Sequence, residues 1–129
     1  MRAIDTNVLV RFLARDNEDQ AQRALAAILA GDVFVSKTVM LETEWVVRGV
    51  YGFSRDRVVT ALREFIGLSG VTVESPGVVA QALERMQQGM DFADALQLGA
   101  AADCEVFLTF DRKLAKVAEG QARPRVEQP

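Results

Sequence analysis

Arg2-Ala3-Ile4-Asp5-Thr6-Asn7-Val8-Leu9-Val10-Arg11-Phe12-Leu13 reads as the seam of an α/β fold: a short apolar start, an acid, then a helix-like run. Asp5 is then the last residue of a first strand. In an open parallel sheet, ligands collect outside the carboxyl ends of the strands, so an Asp at that point faces the presumptive site. Its plain alternative is a helix N-cap accepting the backbone N–H groups of the Thr6-Asn7-Val8 turn. Both readings stay open for Asp5 taken alone. Working outward, Val33-Phe34-Val35, Val71-Thr72-Val73 and Val106-Phe107-Leu108-Thr109-Phe110 are short β-branched and aromatic runs that read as strands. Between them lie helical patterns. Asn17 is an N-cap with Gln20 at the capping-box position, and Ala21, Ala24, Leu25, Ile28 and Leu29 keep helical spacing until Gly31. Ser36-Lys37-Thr38 supplies a turn and cap for a helix from Val39 to about Tyr51. Ser54 caps another, with Val58, Val59, Leu62, Phe65 and Ile66 inward, and Ser75-Pro76 puts Pro at a first helical position, with Val79, Leu83 and Met86 inward up to Gly89. The alternation predicts a central parallel sheet with helices on both faces, in one domain over residues 1–119 followed by a loose tail, 120–129.

Three further acids stand at comparable places. Glu42 falls early in the helix after the second strand and shares a face with Val39, Trp45 and Val46. It therefore reads as the odd residue on a buried stripe, while Glu44, roughly 200° round the helix, reads as solvated. A lone buried carboxylate is costly unless paired or metal-bound. In Met90-Asp91-Phe92-Ala93-Asp94-Ala95-Leu96, Asp91 reads as the cap of a helix running to about Asp103, and Asp94 borders an inward face with Ala95, Leu98 and Ala101. Asp111 follows the strand ending at Phe110, where the cap and site readings are again both open, and Thr109 places a hydroxyl beside it.

The chain has no histidine. Neither Ser-His-Asp nor Cys-His catalysis is available, and a cluster of carboxylates alone suits hard divalent ions such as Mg²⁺ or Mn²⁺, held by oxygen ligands and waters. Such an ion lowers the pKa of a bound water, and a second, where present, stabilises the leaving oxygen. The net charge of −3 over 129 residues runs against the basic surface usual for phosphate contacts. Four acids gathered at a cation site offset that balance, and Arg11 and Arg112 are the candidates for touching phosphate. Half the residues are apolar, enough for a self-sufficient core. Apolar runs break well short of the roughly 20 residues of a membrane span, and the start lacks a signal peptide's pattern, so a cytoplasmic protein is expected. The lone Cys104 is expected to pack as a small apolar residue. Between Arg48 and Phe65, the residues Val50, Tyr51, Phe53, Val58 and Val59 exceed what one core stripe requires, which points either to an interface or to a wider buried face.

Ala3-Ile4-Asp5-Thr6-Asn7-Val8-Leu9, Leu41-Glu42 with Trp45-Val46, Asp91-Phe92-Ala93-Asp94-Ala95-Leu96 and Thr109-Phe110-Asp111 resemble, in order and spacing, the PIN domain and especially its VapC-type toxin ribonucleases. The likeness runs from Arg2 to about Val117. It implies a small Mg²⁺- or Mn²⁺-dependent endoribonuclease acting on RNA, a homodimer, and inhibition by a cognate antitoxin. It implies Asp5, Glu42, Asp94 and Asp111 as the metal-binding catalytic acids, with Asn7, Asp91 and Thr109 as polar support. The rivals are a catalytically inactive binding module of the same fold and a phosphoaspartyl phosphatase or receiver-like domain. The latter fits poorly: Asp5-Thr6-Asn7 stands where the phosphatases have Asp-x-Asp.

Overall fold

Short apolar segments bounded by polar caps set the element order in this computed structural model, which describes residues 1–120 and 123–129. The architecture is mixed α/β, with parallel strands flanked by helices. It resolves into two units, Met1–Pro76 and Gly77–Pro129. In the first, β1 (Arg2–Ala3), β2 (Val33–Val35) and β3 (Val71–Val73) form a parallel sheet in the order β1-β2-β3, with Ala3 opposite Phe34 and Phe34 opposite Thr72. Helices α1 (Thr6–Ala14), α2 (Glu18–Leu29), α3 (Lys37–Gly49) and α4 (Arg55–Ile66) connect them. α1 packs on α2 and α3, while α4 packs on α3 and β3. Leu9, Ile28, Val33, Val35, Met40, Val47, Leu62 and Phe65 are almost wholly inaccessible and supply the burial that stabilises this unit.

The second unit carries α5 (Pro76–Gln87, beginning on the last residue of the first), α6 (Phe92–Ala100), β4 (Val106–Leu108), α7 (Arg112–Val117) and β5 (Arg125–Glu127). Val79, Leu83, Met86, Phe92, Ala95 and Leu98 are buried, at the helical spacing that two amphipathic helices require. Gly99 lets α6 approach α5: a Cβ there would lie 2.9 Å from Val78 Cγ1. β4 pairs with β5 in parallel, Val106 opposite Arg125 and Leu108 opposite Glu127. The stretch expected as a loose tail therefore contributes a strand, whose register comes from backbone pairing with a distant segment rather than from its own weak pattern. Positions 121 and 122 of that stretch lie outside the described residues.

Four further expectations are corrected, and one left open is settled. Leu29 is exposed, because it lies at the last position of α2, off the Ala21-Ala24-Ile28 stripe. Cys104 is exposed rather than packed, since it sits in the turn between α6 and β4. The strand expected to reach Phe110 ends at Leu108, and the helix expected to reach about Asp103 ends at Ala100. The surplus apolar residues between Arg48 and Phe65 are largely core. Phe53, Val58 and Val59 are buried, and Tyr51 is tied into a polar network, so only Val50 remains as a large exposed apolar side chain of that set. No helix among the described residues is long and apolar enough to cross a membrane.

Candidate active site

In the first unit, Asp5 is not the last residue of β1, which ends at Ala3, but lies two residues beyond it and caps α1. Its backbone is extended (φ −95°, ψ 179°), and its Oδ1 accepts the Val8 N–H at 3.1 Å. The two readings of Asp5 are thus compatible, since the capping side chain is still exposed. Asp5 and Asn7 open on a cleft of about 440 Å³ whose far wall is Gln20, Arg23 and Ala24 of α2. Arg11 lines it too, held rigidly: Nε donates to Gln20 Oε1 at 2.6 Å, and Nη1 donates to Asp16 Oδ1 at 2.8 Å and to Tyr51 Oη at 3.1 Å. The Tyr51 hydroxyl in turn donates to Asp16 Oδ2 at 2.6 Å. These bonds, Tyr51's first and then Arg11's, hold the Asp16 carboxyl below its ordinary range, and the bond to Asp16 pushes the Tyr51 phenol up. The cationic form of Arg11 is favoured chiefly by its bond to Asp16. Arg11 is therefore a positioned cation, partly offset by Asp16.

α3 places its acids the opposite way round from the sequence expectation. Ser36 Oγ accepts the Val39 N–H at 3.1 Å and starts the helix two residues earlier than expected, at Lys37. The buried face is Met40, Thr43, Glu44 and Val47. Glu42 is exposed, as is Trp45 at 63%. Glu44 is 1% exposed, with Oε2 accepting from Arg48 Nε at 2.6 Å. An i,i+4 Glu–Arg pair is readable in sequence; its burial is not, because Trp45 and Val46 suggested a different inward face. Exposure leaves the Glu42 carboxylate available to a cation.

In the second unit, Asp91 caps α6, its Oδ2 accepting the Asp94 N–H at 3.3 Å. Asp111 caps α7, its Oδ1 accepting from the Lys113 and Leu114 N–H groups at 2.9 and 3.1 Å. Thr109 Oγ1 accepts the Asp111 N–H at 3.0 Å, so Thr109 orients the backbone that carries Asp111. Partial burial, then the negative charges of Asp91 and Asp111, push the Asp94 carboxyl up. Like charges so arranged disfavour ionisation and favour a cation between them. Asp94 and Asp111 form no ion pair among the described residues. The donor chemistry thus fits a hard divalent ion, although among the described residues no three Asp, Glu, Cys or His side chains converge as a ready-made cage. Arg112 is exposed at the start of α7.

No curated protein and no solved structure matches the chain at a significant level. The family model described as the PIN domain matches residues 3–120, and the chain belongs to the PIN domain family.

Proposed function

We propose that this chain is a metal-dependent endoribonuclease of the VapC toxin type, cleaving RNA phosphodiester bonds and neutralised by a cognate antitoxin. PIN domains have a nuclease-type fold, are generally nucleases acting on nucleic acids, and typically bind divalent metal ions. The observation that carries the reading is the family match over residues 3–120 in a chain with no histidine, whose Asp91 and Asp111 carboxylates cap α6 and α7 around Asp94. Asp5, Glu42, Asp94 and Asp111 are the residues that would hold Mg²⁺ or Mn²⁺. When bound, the ion supplies a water of lowered pKa and offsets charge on the phosphoryl oxygens. Asn7 borders Asp5 in its cleft, Asp91 and Thr109 fix the backbone that presents Asp94 and Asp111, and Arg11 and Arg112 are the cations offered to phosphate. A homodimer and an antitoxin contact belong to the same proposal. Exposed Trp45 and Val50 on and just after α3 give such a contact apolar anchors, the kind of residue that dominates protein interfaces.

Incubating the full chain with a mixed RNA pool tests this directly. Cleavage with Mg²⁺ or Mn²⁺ that stops on chelation, and that Asp94→Asn abolishes, is the expected result. Cleavage persisting in EDTA overturns the metal mechanism, and no cleavage under any metal leaves a binding module of the same fold.

A further inference from the structure

We propose that Phe110 is a stacking platform for an unpaired base of single-stranded RNA; this rests on the nuclease reading for its substrate. Phe110 is 81% exposed, the most exposed of the chain's large hydrophobic side chains. Nothing in the core explains a phenylalanine held in water between β4 and α7.

The ring is not on a loose segment. The Thr109 N–H donates to the Glu127 carbonyl at 3.0 Å, tying the chain just before Phe110 to β5. Just after it, the Asp111 N–H donates to Thr109 Oγ1, and the Asp111 carboxylate caps α7. A pinned backbone leaves little conformational freedom to lose on binding, which is how a preorganised contact gains affinity. Leu108, also exposed, ends β4 two residues before the ring.

The residues that follow the ring select its occupant. Arg112, Lys113 and Lys116 follow on α7, all exposed and without an ion pair among the described residues. An exposed aromatic side chain followed within one short helix by exposed cations is the combination that binds single strands, with bases stacking on the ring and phosphates meeting the cations. A duplex keeps its bases stacked on one another and out of reach. The next residue is Asp111, so a base on the ring keeps its own phosphate near a carboxylate assigned to the reaction. A protein surface would make use of the ring and Leu108 but has no need of the three cations.

The test measures binding of a labelled single-stranded RNA of mixed sequence, and of the same RNA annealed to its complement, to the full chain in EDTA, where metal-dependent cleavage is suppressed. F110A should weaken single-strand binding about tenfold, F110W should restore it, and duplex binding should be weak and unchanged by either. With Mg²⁺, F110A should raise KM for cleavage while kcat stays close to wild type. Wild-type affinity in F110A, or no single-strand binding by the wild-type chain, overturns the proposal. A change in molecular mass by light scattering with RNA affinity unchanged also overturns it, and gives the ring to a contact between copies of this chain. If binding behaves as expected but no metal supports cleavage, the nuclease reading fails while the stacking site stands.

Discussion

Glu42 and Glu44, two residues apart on α3, have opposite surroundings: one faces water, the other is almost wholly buried against Arg48. The Arg48 side chain is still 42% exposed. Removing it therefore strands a buried carboxylate, whereas removing the Glu44 charge leaves a guanidinium that water can reach. Arg48→Ala should cost about 3 kcal/mol in urea unfolding and Glu44→Gln about 1 kcal/mol; the reverse order would show that Glu44 is not held by Arg48. Asp94 sits where burial and neighbouring carboxylates oppose its charge. Its carboxyl is raised in the folded chain, so the stability gained by protonating it is fully present below the ordinary carboxylate range, roughly pH 4, and is lost as pH rises through the raised value. At neutral pH the ionised group opposes folding. Asp94→Asn should therefore raise the metal-free thermal midpoint at pH 7, with the gain disappearing near pH 3, and should abolish cleavage. A midpoint that falls at pH 7 would mean that Asp94 is stabilising as an anion.

Caps do much of the work at the scale of elements. Asp5, Asn17, Ser36, Ser54, Asp91 and Asp111 each accept a backbone N–H in the first turn of the helix that follows, and all six were legible as Ser, Asn or Asp ahead of an apolar periodic run. Ser36→Ala should destabilise the chain by about 1 kcal/mol in thermal unfolding, because α3 loses the acceptor that fixes its start. Asp111→Asn should reduce cleavage less than Asp94→Asn does, since Asn keeps the cap of α7; equal loss would give Asp111 a purely chemical role. The turn before β3 has a different constraint. Gly70 has φ +83°, and a Cβ there would fall 2.7 Å from the Gly31 Cα. Both the backbone angle and the close approach exclude a side chain, so Gly70→Ala should cost about 2 kcal/mol or more, read as a lower urea midpoint.

For the whole molecule, the oxygen-only inventory predicts that Mg²⁺ and Mn²⁺ support RNA cleavage while Zn²⁺ does not; Zn²⁺ activity equal to Mg²⁺ in a metal titration would count against carboxylate ligation. The sequence by itself determined the α/β alternation, the helix caps and the family, because periodicity, capping chemistry and the ordered Asp5, Glu42, Asp94 and Asp111 blocks are local and survive in one dimension. It also located Asp5 and Asp111 at strand-to-helix joints, where a cap and an exposed carboxylate are the same side chain. Only the tertiary structure decided which face of α3 is buried. Val39, Trp45 and Val46 suggested a stripe around Glu42, yet contacts with α1 and α4 bury Met40, Thr43, Glu44 and Val47. It likewise decided that Phe53, Val58 and Val59 belong to the core rather than to a surface, and that Phe110 stands in water. The strand Arg125–Glu127 was invisible for the same reason: three residues rich in charge form a strand only because β4 offers them a backbone edge. Hydrophobicity says that a side chain prefers burial, but which neighbours arrive to bury it is a property of the packed chain.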